Sequence, residues 1–351
     1  MHLNPVISQR DISVVIQGGI LDAYGELDVK FLQNLESTSK ALHECEIIVS
    51  TWKANSLIEK QLVASYPAVH FIFNEDVGAL KKDIDGVTVV CNVNRMIASS
   101  AYGLKAATRD YSIKIRTDSY LHNDNIVSIL NKCFIDESIE GVKKIQREDR
   151  YVVFDKHVIN CNLFARNPAS HLPFLFHPGD ILFAGLTKDL FTIFDIPLAD
   201  ESLFEYRKSF MNACYMKLVP EQYLWVKNIE KIKGGLNYSG NFSNEKNEVI
   251  ESECFFLNNF IPFDSLALGF VWRKHNEVYF NKGWASLYQT FDWVNLYRKY
   301  LLKSPPLYPG KWYYRAIKIL FMKIYFIFRT QLLRVPLVRK LAFKFFVKRG
   351  N

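Results

Sequence analysis

Three short stretches of the 351-residue chain combine residue types that do phosphate or acid–base chemistry. The first runs from Asn94 to Tyr120, NRMIASSAYGLKAATRDYSIKIRTDSY. A helix rich in small residues leads into a strand that stops at Arg116-Thr117-Asp118. An acid at a strand end can give a hard divalent cation, Mg²⁺ or Mn²⁺, an oxygen ligand with which to neutralise a diphosphate. Arg116 offers another solution, a planar guanidinium that grips phosphate oxygens directly. A plain ion pair between Arg116 and Asp118 is the structural alternative. The second stretch is HPGDILFAG, His177 to Gly185. Its Pro-Gly turn presents Asp180 at the start of a buried strand, either to contact ligand hydroxyls or merely to cap the turn. The third is VPEQYLW, Val219 to Trp225. Proline followed by an acid suits the first turn of a helix, where negative charge complements the dipole. Glu221 there also suits a general base that takes a proton from a hydroxyl.

The elements that must position these groups alternate. Strands are predicted at Ile12–Ile16, Glu46–Ser50, Val69–Phe73 and Tyr111–Ile115, with Val87–Val90 extending the sheet. Helices are predicted at Leu27–Leu42, Asn55–Ala64 and Arg95–Thr108, the last with Ile97, Ala101, Leu104 and Thr108 at helical spacing. Alternation of this kind implies a mostly parallel sheet covered on both faces. Ligands of such sheets sit at the carboxyl ends of the strands. Gln17, Thr51, Lys53, Arg116 and Asp118 all fall at such ends, which points to a nucleotide-type site. Neither GxGxxG nor GxxxxGK[ST] occurs, so the dinucleotide and P-loop classes lack their fingerprints. Beyond about residue 150 the pattern is less regular. A strand is predicted at Ile181–Ala184 and a helix at Thr187–Phe194. Phe204–Trp225 reads as largely helical with a break near Pro220, and residues 233–252 as a polar loop or lid.

The formal charge of +8 is unevenly spread. From Lys303 onward there are twelve Lys or Arg and no Asp or Glu, leaving a body with 32 basic against 36 acidic residues. This asymmetry points to an anionic surface. Residues 311–349 carry Trp312, Tyr313, Tyr314 and many aliphatic groups, with Arg315, Lys318, Lys323 and Arg329 on one side of a helical wheel. So much apolar surface argues for a membrane interface and against nucleic acid. The apolar runs are shorter than the roughly 20 residues needed to span a bilayer. A helix docked on the protein's own core is the structural alternative. The six cysteines form no C-x-x-C pair and no small disulfide framework. They read as reduced thiols in a cytosolic compartment, and no secretory signal is visible at the N-terminus.

The stretches ISVVIQGG, EIIVSTWK, NR…GL…KIRTD, HPGDILFAG and PEQYLW, spread over roughly residues 10–230, resemble the WavE lipopolysaccharide-synthesis family of glycosyltransferases. The resemblance implies a GT-A-like α/β fold and a role in making lipopolysaccharide core or another surface polysaccharide. By analogy with metal-dependent enzymes of that fold, whose strand ends in Asp-x-Asp, Asp118 would bind Mg²⁺ or Mn²⁺. Here only the last residue of the triplet is acidic. Gln17, Thr51 and Lys53 would line the nucleotide pocket, and Arg95 and Arg116 would face the diphosphate. Asp180 would contact sugar and Glu221 would be the base of an inverting transfer. The expected organisation is a catalytic domain over residues 1–302, with a nucleotide-binding half at about 10–135 and an acceptor half at about 150–302. A membrane-associating tail over 303–351 follows. The expected partners are a nucleotide-sugar, a lipid-linked saccharide and the anionic inner face of the bacterial inner membrane, without nucleic acid. A sugar nucleotidyltransferase and a non-catalytic scaffold in polysaccharide assembly are the rival readings.

Overall fold

The computed structural model describes residues 6–84, 86–243, 245–272, 284–308, 310–335, 337, 338 and 341. Short apolar runs form its sheet. Strand β1 (Ile12–Gln17) is buried along its whole length, and β2 (Glu46–Trp52) everywhere but its two ends. Then come β3 (Val69–Asn74), the hairpin β4 (Leu80–Ile84) and β5 (Val87–Cys91), β6 (Tyr111–Arg116) and β7 (Ser119–Leu121). The hairpin β8 (Ser138–Ile139) and β9 (Val142–Lys143) precedes β10 (Val158–Cys161) and β11 (Phe183–Leu186). The hairpin β12 (Arg207–Lys208) and β13 (Ala213–Cys214) is followed by β14 (Phe260–Phe263) and β15 (Phe270–Trp272).

Seven strands build the central sheet in the order β14-β10-β11-β6-β1-β2-β3. Neighbours are parallel except around β11, which runs antiparallel to both β10 and β6. The fold is therefore mixed α/β with a mostly parallel sheet, as the alternation of elements implied. The chain builds outward from β1 through β2 to β3, then returns to lay β6 on the other side of β1. That reversal makes a topological switch point at the carboxyl ends of β1 and β6, the place where such sheets bind ligands.

Helices α1 (Val29–Ala41) and α2 (Ser56–Ser65) begin at side-chain caps. Asp28 accepts from Lys30 N and Asn55 from Leu57 N. Helix α3 (Val93–Ala106) packs on β1 and β2 through its small residues, with Ser99 and Ser100 wholly buried. Helices α4 (Asn125–Phe134), α5 (Thr187–Phe194), α6 (Pro220–Lys233) and α7 (Lys246–Asn259) cover the rest. Under α6 and α7 the core is aromatic. Trp225 lies 4.8 Å from Phe260 and 5.3 Å from Phe154 between ring centroids, contacts worth about 0.5–1.5 kcal/mol each beyond area burial.

Three sequence expectations are corrected. Val87–Val90 pairs with β4 in a separate hairpin instead of extending the main sheet. Phe204–Trp225 is helical only from Pro220. Upstream of it, Ser209 and Asn212 close a hairpin turn, the Ser209 hydroxyl accepting from Met211 N and Asn212 N. Such side-chain bonds to nearby backbone compete with helix. The supposed lid at 233–252 is coil only to residue 243, because α7 starts at Lys246. Its charged sequence hides an inner face whose polar groups are satisfied: Glu248 accepts from Ser243, and Ser252 Oγ accepts from Phe176 N at 2.7 Å.

The basic tail forms the helix Gly310–Leu333, and residues 336, 339, 340 and 342–349 of the expected membrane segment lie outside the described residues. The helix docks on the body. Arg315, 3% exposed, enters a receptor made by Ala285 O, Leu287 O and the Asp292 carboxylate, at 3.1, 2.7 and 2.6 Å. Thr330 donates to Met211 O, and the Phe326 ring lies 5.3 Å from that of His171. Arg315 is therefore turned inward, and Lys318 sits over the Trp284 ring at 5.2 Å. The solvent-facing side is instead an apolar stripe through Tyr313, Ile317, Leu320, Phe321, Ile324, Phe328 and Leu332. Among the described residues no helix is long and apolar enough to cross a membrane.

Candidate active site

The main cleft, about 850 Å³, opens at the switch point and is lined by all eight residues singled out in the sequence. The end of β1 forms its floor. Gln17 is buried, and Ser99 Oγ lies 2.6 Å from its Oε1. Gly18 follows at φ +130°, and a Cβ there would stand 2.8 Å from Thr117 Oγ1. Glycine thus lets the end of β1 close on the Arg116–Asp118 turn, which is tied down by Thr117 N donating to Gln17 O at 3.0 Å. Asn34 of α1 holds the same turn, its Nδ2 donating to Thr117 O at 3.0 Å.

Three cations stand around this floor, each with a carboxylate. Lys53, just past β2, pairs with Glu75 at the exposed rim. Arg95, on the first turn of α3, forks onto Asp76, with Nε 2.8 Å from Oδ1. Arg116 forks onto Asp118, with Nε–Oδ1 2.9 Å and NH2–Oδ2 3.1 Å. Strand β15 pairs antiparallel with β7, setting Trp272 opposite Ser119. The Arg116 guanidinium thereby lies 5.5 Å from the Trp272 ring centroid. Thr51 is fully buried on the cleft wall beside Lys53.

Two further carboxylates, Asp180 and Glu221, line the same cleft. Gly179, at φ +81°, allows the Pro-Gly turn to pack where a Cβ would stand 3.0 Å from Leu163 O. That packing sets Asp180, 5% exposed, into the cleft. From β6, the fully buried Lys114 donates to Asp180 O at 2.6 Å and so holds the turn from beneath. Burial pushes its ammonium down to about 8. Glu221 follows Pro220 at the first turn of α6. Burial, and then the Asp180 charge, raise its carboxyl to about 7. His177 Nε2 is 3.6 Å from Glu221 Oε2. Burial, with the Arg166 charge next, holds this imidazole well below its usual range, so it faces Glu221 as a neutral ring.

This donor set does not fit a hard cation. Both Asp118 oxygens receive guanidinium N–H groups, and the position two residues earlier is the guanidinium's own Arg116. Asp76 is engaged by Arg95, and Asp22 accepts from Tyr24 N and Glu26 N at 2.8 and 3.0 Å. Among the described residues no three His, Cys, Asp or Glu side chains are grouped to hold a metal.

Sequence reasoning missed Lys114, Trp272 and Phe164, the last lining the cleft at φ +66°. Lys114 stands between two isoleucines and by alternation reads as a solvent-facing strand residue. What covers its side chain is the turn carrying Asp180, whose carbonyl it bonds, and Phe194 of α5, whose ring centroid lies 5.2 Å from Nζ.

A family model described as WavE lipopolysaccharide synthesis matches residues 12–326. No curated protein matches the chain. Among solved structures, TarS residues 1–349 from S. aureus shows 10% identity over 90% of this chain and 81% of that one, with a TM-score of 0.30. A cytidylyltransferase from Leptospira borgpetersenii shows 13% identity over 54% of this chain and 66% of that one, TM-score 0.30. The mannosyltransferase PcManGT from Pyrobaculum calidifontis, in complex with GDP-Man and Mn²⁺, shows 11% identity over 53% and 47%, TM-score 0.30. The chain thus spans less than two thirds of the latter two. At these TM-scores the superpositions are too loose to transfer residues or activity.

Proposed function

Because the chain belongs to the WavE lipopolysaccharide-synthesis family, we propose that it is a glycosyltransferase acting on a nucleotide-sugar donor. The acceptor is a hydroxyl of a lipid-linked saccharide, the lipopolysaccharide core or another surface polysaccharide. The observation that carries this reading is the meeting of two kinds of group in one cleft. Guanidinium forks, which suit a diphosphate, line the same cleft as a carboxyl group held at about 7.

In this mechanism Gln17, Thr51 and Lys53 line the nucleotide end, and Arg95 and Arg116 meet the diphosphate. Asp180 holds sugar hydroxyls beside the reacting centre. Glu221 takes the proton from the acceptor hydroxyl as its oxygen attacks the anomeric carbon, and the nucleoside diphosphate leaves from the opposite face. One displacement inverts the configuration. A base with a pKa near the working pH combines a useful ionised fraction with a useful proton affinity. The neutral His177 ring leaves the Glu221 carboxylate free of a neutralising imidazolium charge.

The apolar stripe of the Gly310–Leu333 helix supports membrane association at the inner face of the bacterial inner membrane, where a lipid-linked acceptor is confined. Incubating the protein with a panel of nucleotide-sugars and lipid-linked saccharides, and identifying the released product, tests the function. Sugar transfer with release of nucleoside diphosphate is expected. Release of pyrophosphate from nucleoside triphosphate and sugar phosphate would instead make the protein a nucleotidyltransferase, and no turnover would favour a scaffold.

A further inference from the structure

We infer that Arg116, oriented by Asp118 and Trp272, serves the donor's diphosphate as a divalent cation would, so that donor binding is independent of metal. The inference rests on the nucleotide-sugar reading above and assigns Asp118 as a positioning residue. A hard cation at a strand end needs oxygen ligands that are free to turn toward it. Asp118 instead gives one oxygen to each arm of the Arg116 fork. A cation drawn to Asp118 would also meet the guanidinium's positive charge. The Arg116 side chain is fixed from two sides, by this fork and by the Trp272 ring at 5.5 Å. Its backbone is fixed as well, its N donating to Ser119 Oγ at 3.2 Å. A guanidinium held in this way is pre-organised for bidentate phosphate recognition, which lysine does not reproduce. Arg95 stands on the same cleft as a second fork. A diphosphate arriving there meets two guanidinium groups that their carboxylates already hold in place.

Calorimetric binding of uridine and guanosine diphosphate to the full chain, in EDTA and in Mn²⁺, tests the inference. For wild type, the dissociation constant of whichever diphosphate binds is expected to agree within about twofold between the two buffers. Arg116→Ala and Arg116→Lys should weaken binding by about tenfold or more in both, because a charge-assisted fork is lost. Asp118→Asn, which keeps one acceptor for Arg116, should weaken it by only a few-fold and leave it indifferent to Mn²⁺. Circular dichroism melts check that each variant is folded, and the wild-type comparison stands even if one is not. Tightening of wild type by more than about tenfold in Mn²⁺, abolished in Asp118→Asn, would overturn the inference and leave the functional reading intact. Unchanged binding in folded Arg116→Ala would overturn it as well. Failure of every diphosphate to bind in either buffer would remove the functional reading and the inference with it.

Discussion

His177 Nε2 and Glu221 Oε2 stand 3.6 Å apart without forming an ion pair. Burial keeps the imidazole neutral, and burial together with the Asp180 charge raises the Glu221 carboxyl to about 7. Neither group relieves the other, so Glu221 is ionised against its surroundings. That condition stores proton affinity in a base, and it has a measurable effect on stability.

An acid whose pKa rises on folding, from 4.5 to about 7, holds its proton more tightly in the native state. The associated stability is fully present below pH 4.5 and is lost as pH rises through 7. At about 1.4 kcal/mol per unit the loss is roughly 3 kcal/mol. Glu221→Gln, which cannot ionise, should therefore melt above wild type at pH 8 and close to it at pH 4.5. Differential scanning calorimetry at the two values checks this. A variant less stable than wild type at pH 8 would make Glu221 a structural residue.

Lys114 is a buried cation whose Nζ donates to Asp180 O and lies 5.2 Å from the Phe194 ring centroid. Removing its ammonium leaves the buried Asp180 O without this donor, and an unsatisfied buried acceptor costs about 1–3 kcal/mol. Lys114→Met should therefore lose about 1–3 kcal/mol of stability while sugar transfer falls by about tenfold or more, because Asp180 loses its support and positioning errors are costly. Thermal melts and turnover on one preparation decide it. Full activity would show that the turn holds Asp180 without Lys114.

The terminal helix separates docking from membrane contact by residue. Arg315→Ala strands the Asp292 carboxylate, 12% exposed, and should cost about 3 kcal/mol of stability. The exposed Phe321 and Phe328 carry no such partner role in the body's polar receptor. The double substitution Phe321→Ser and Phe328→Ser should leave the melt unchanged and reduce sedimentation with anionic liposomes. Salt should weaken binding of the parent only in part, because aromatic insertion persists after charges are screened. Equal sedimentation of the double variant would remove the membrane role of this face.

What the sequence made legible follows from which forces are local. The runs at β1, β2 and β6 and the polar residues at their ends were readable because parallel strands in a covered sheet are continuous apolar segments. The Arg116–Asp118 fork was foreseen as one alternative, since two residues across a tight turn are within reach whatever the rest of the chain does. Trp272 was not readable: it reaches Arg116 through the pairing of β15 with β7, more than a hundred residues apart. The inward turn of Arg315 was equally hidden. A helical wheel reports which residues share a side, and only the Ala285, Leu287 and Asp292 receptor decides that this side faces the body.

The most direct test of the account compares wild type with Glu221→Gln at pH 8, measuring donor affinity and sugar transfer on the same samples. As general base, Glu221 contributes about 10²–10⁴-fold to turnover and nothing to the grip on the diphosphate. The account requires unchanged donor affinity with turnover lowered by that factor. Turnover within a few-fold of wild type, with donor still bound, would contradict it.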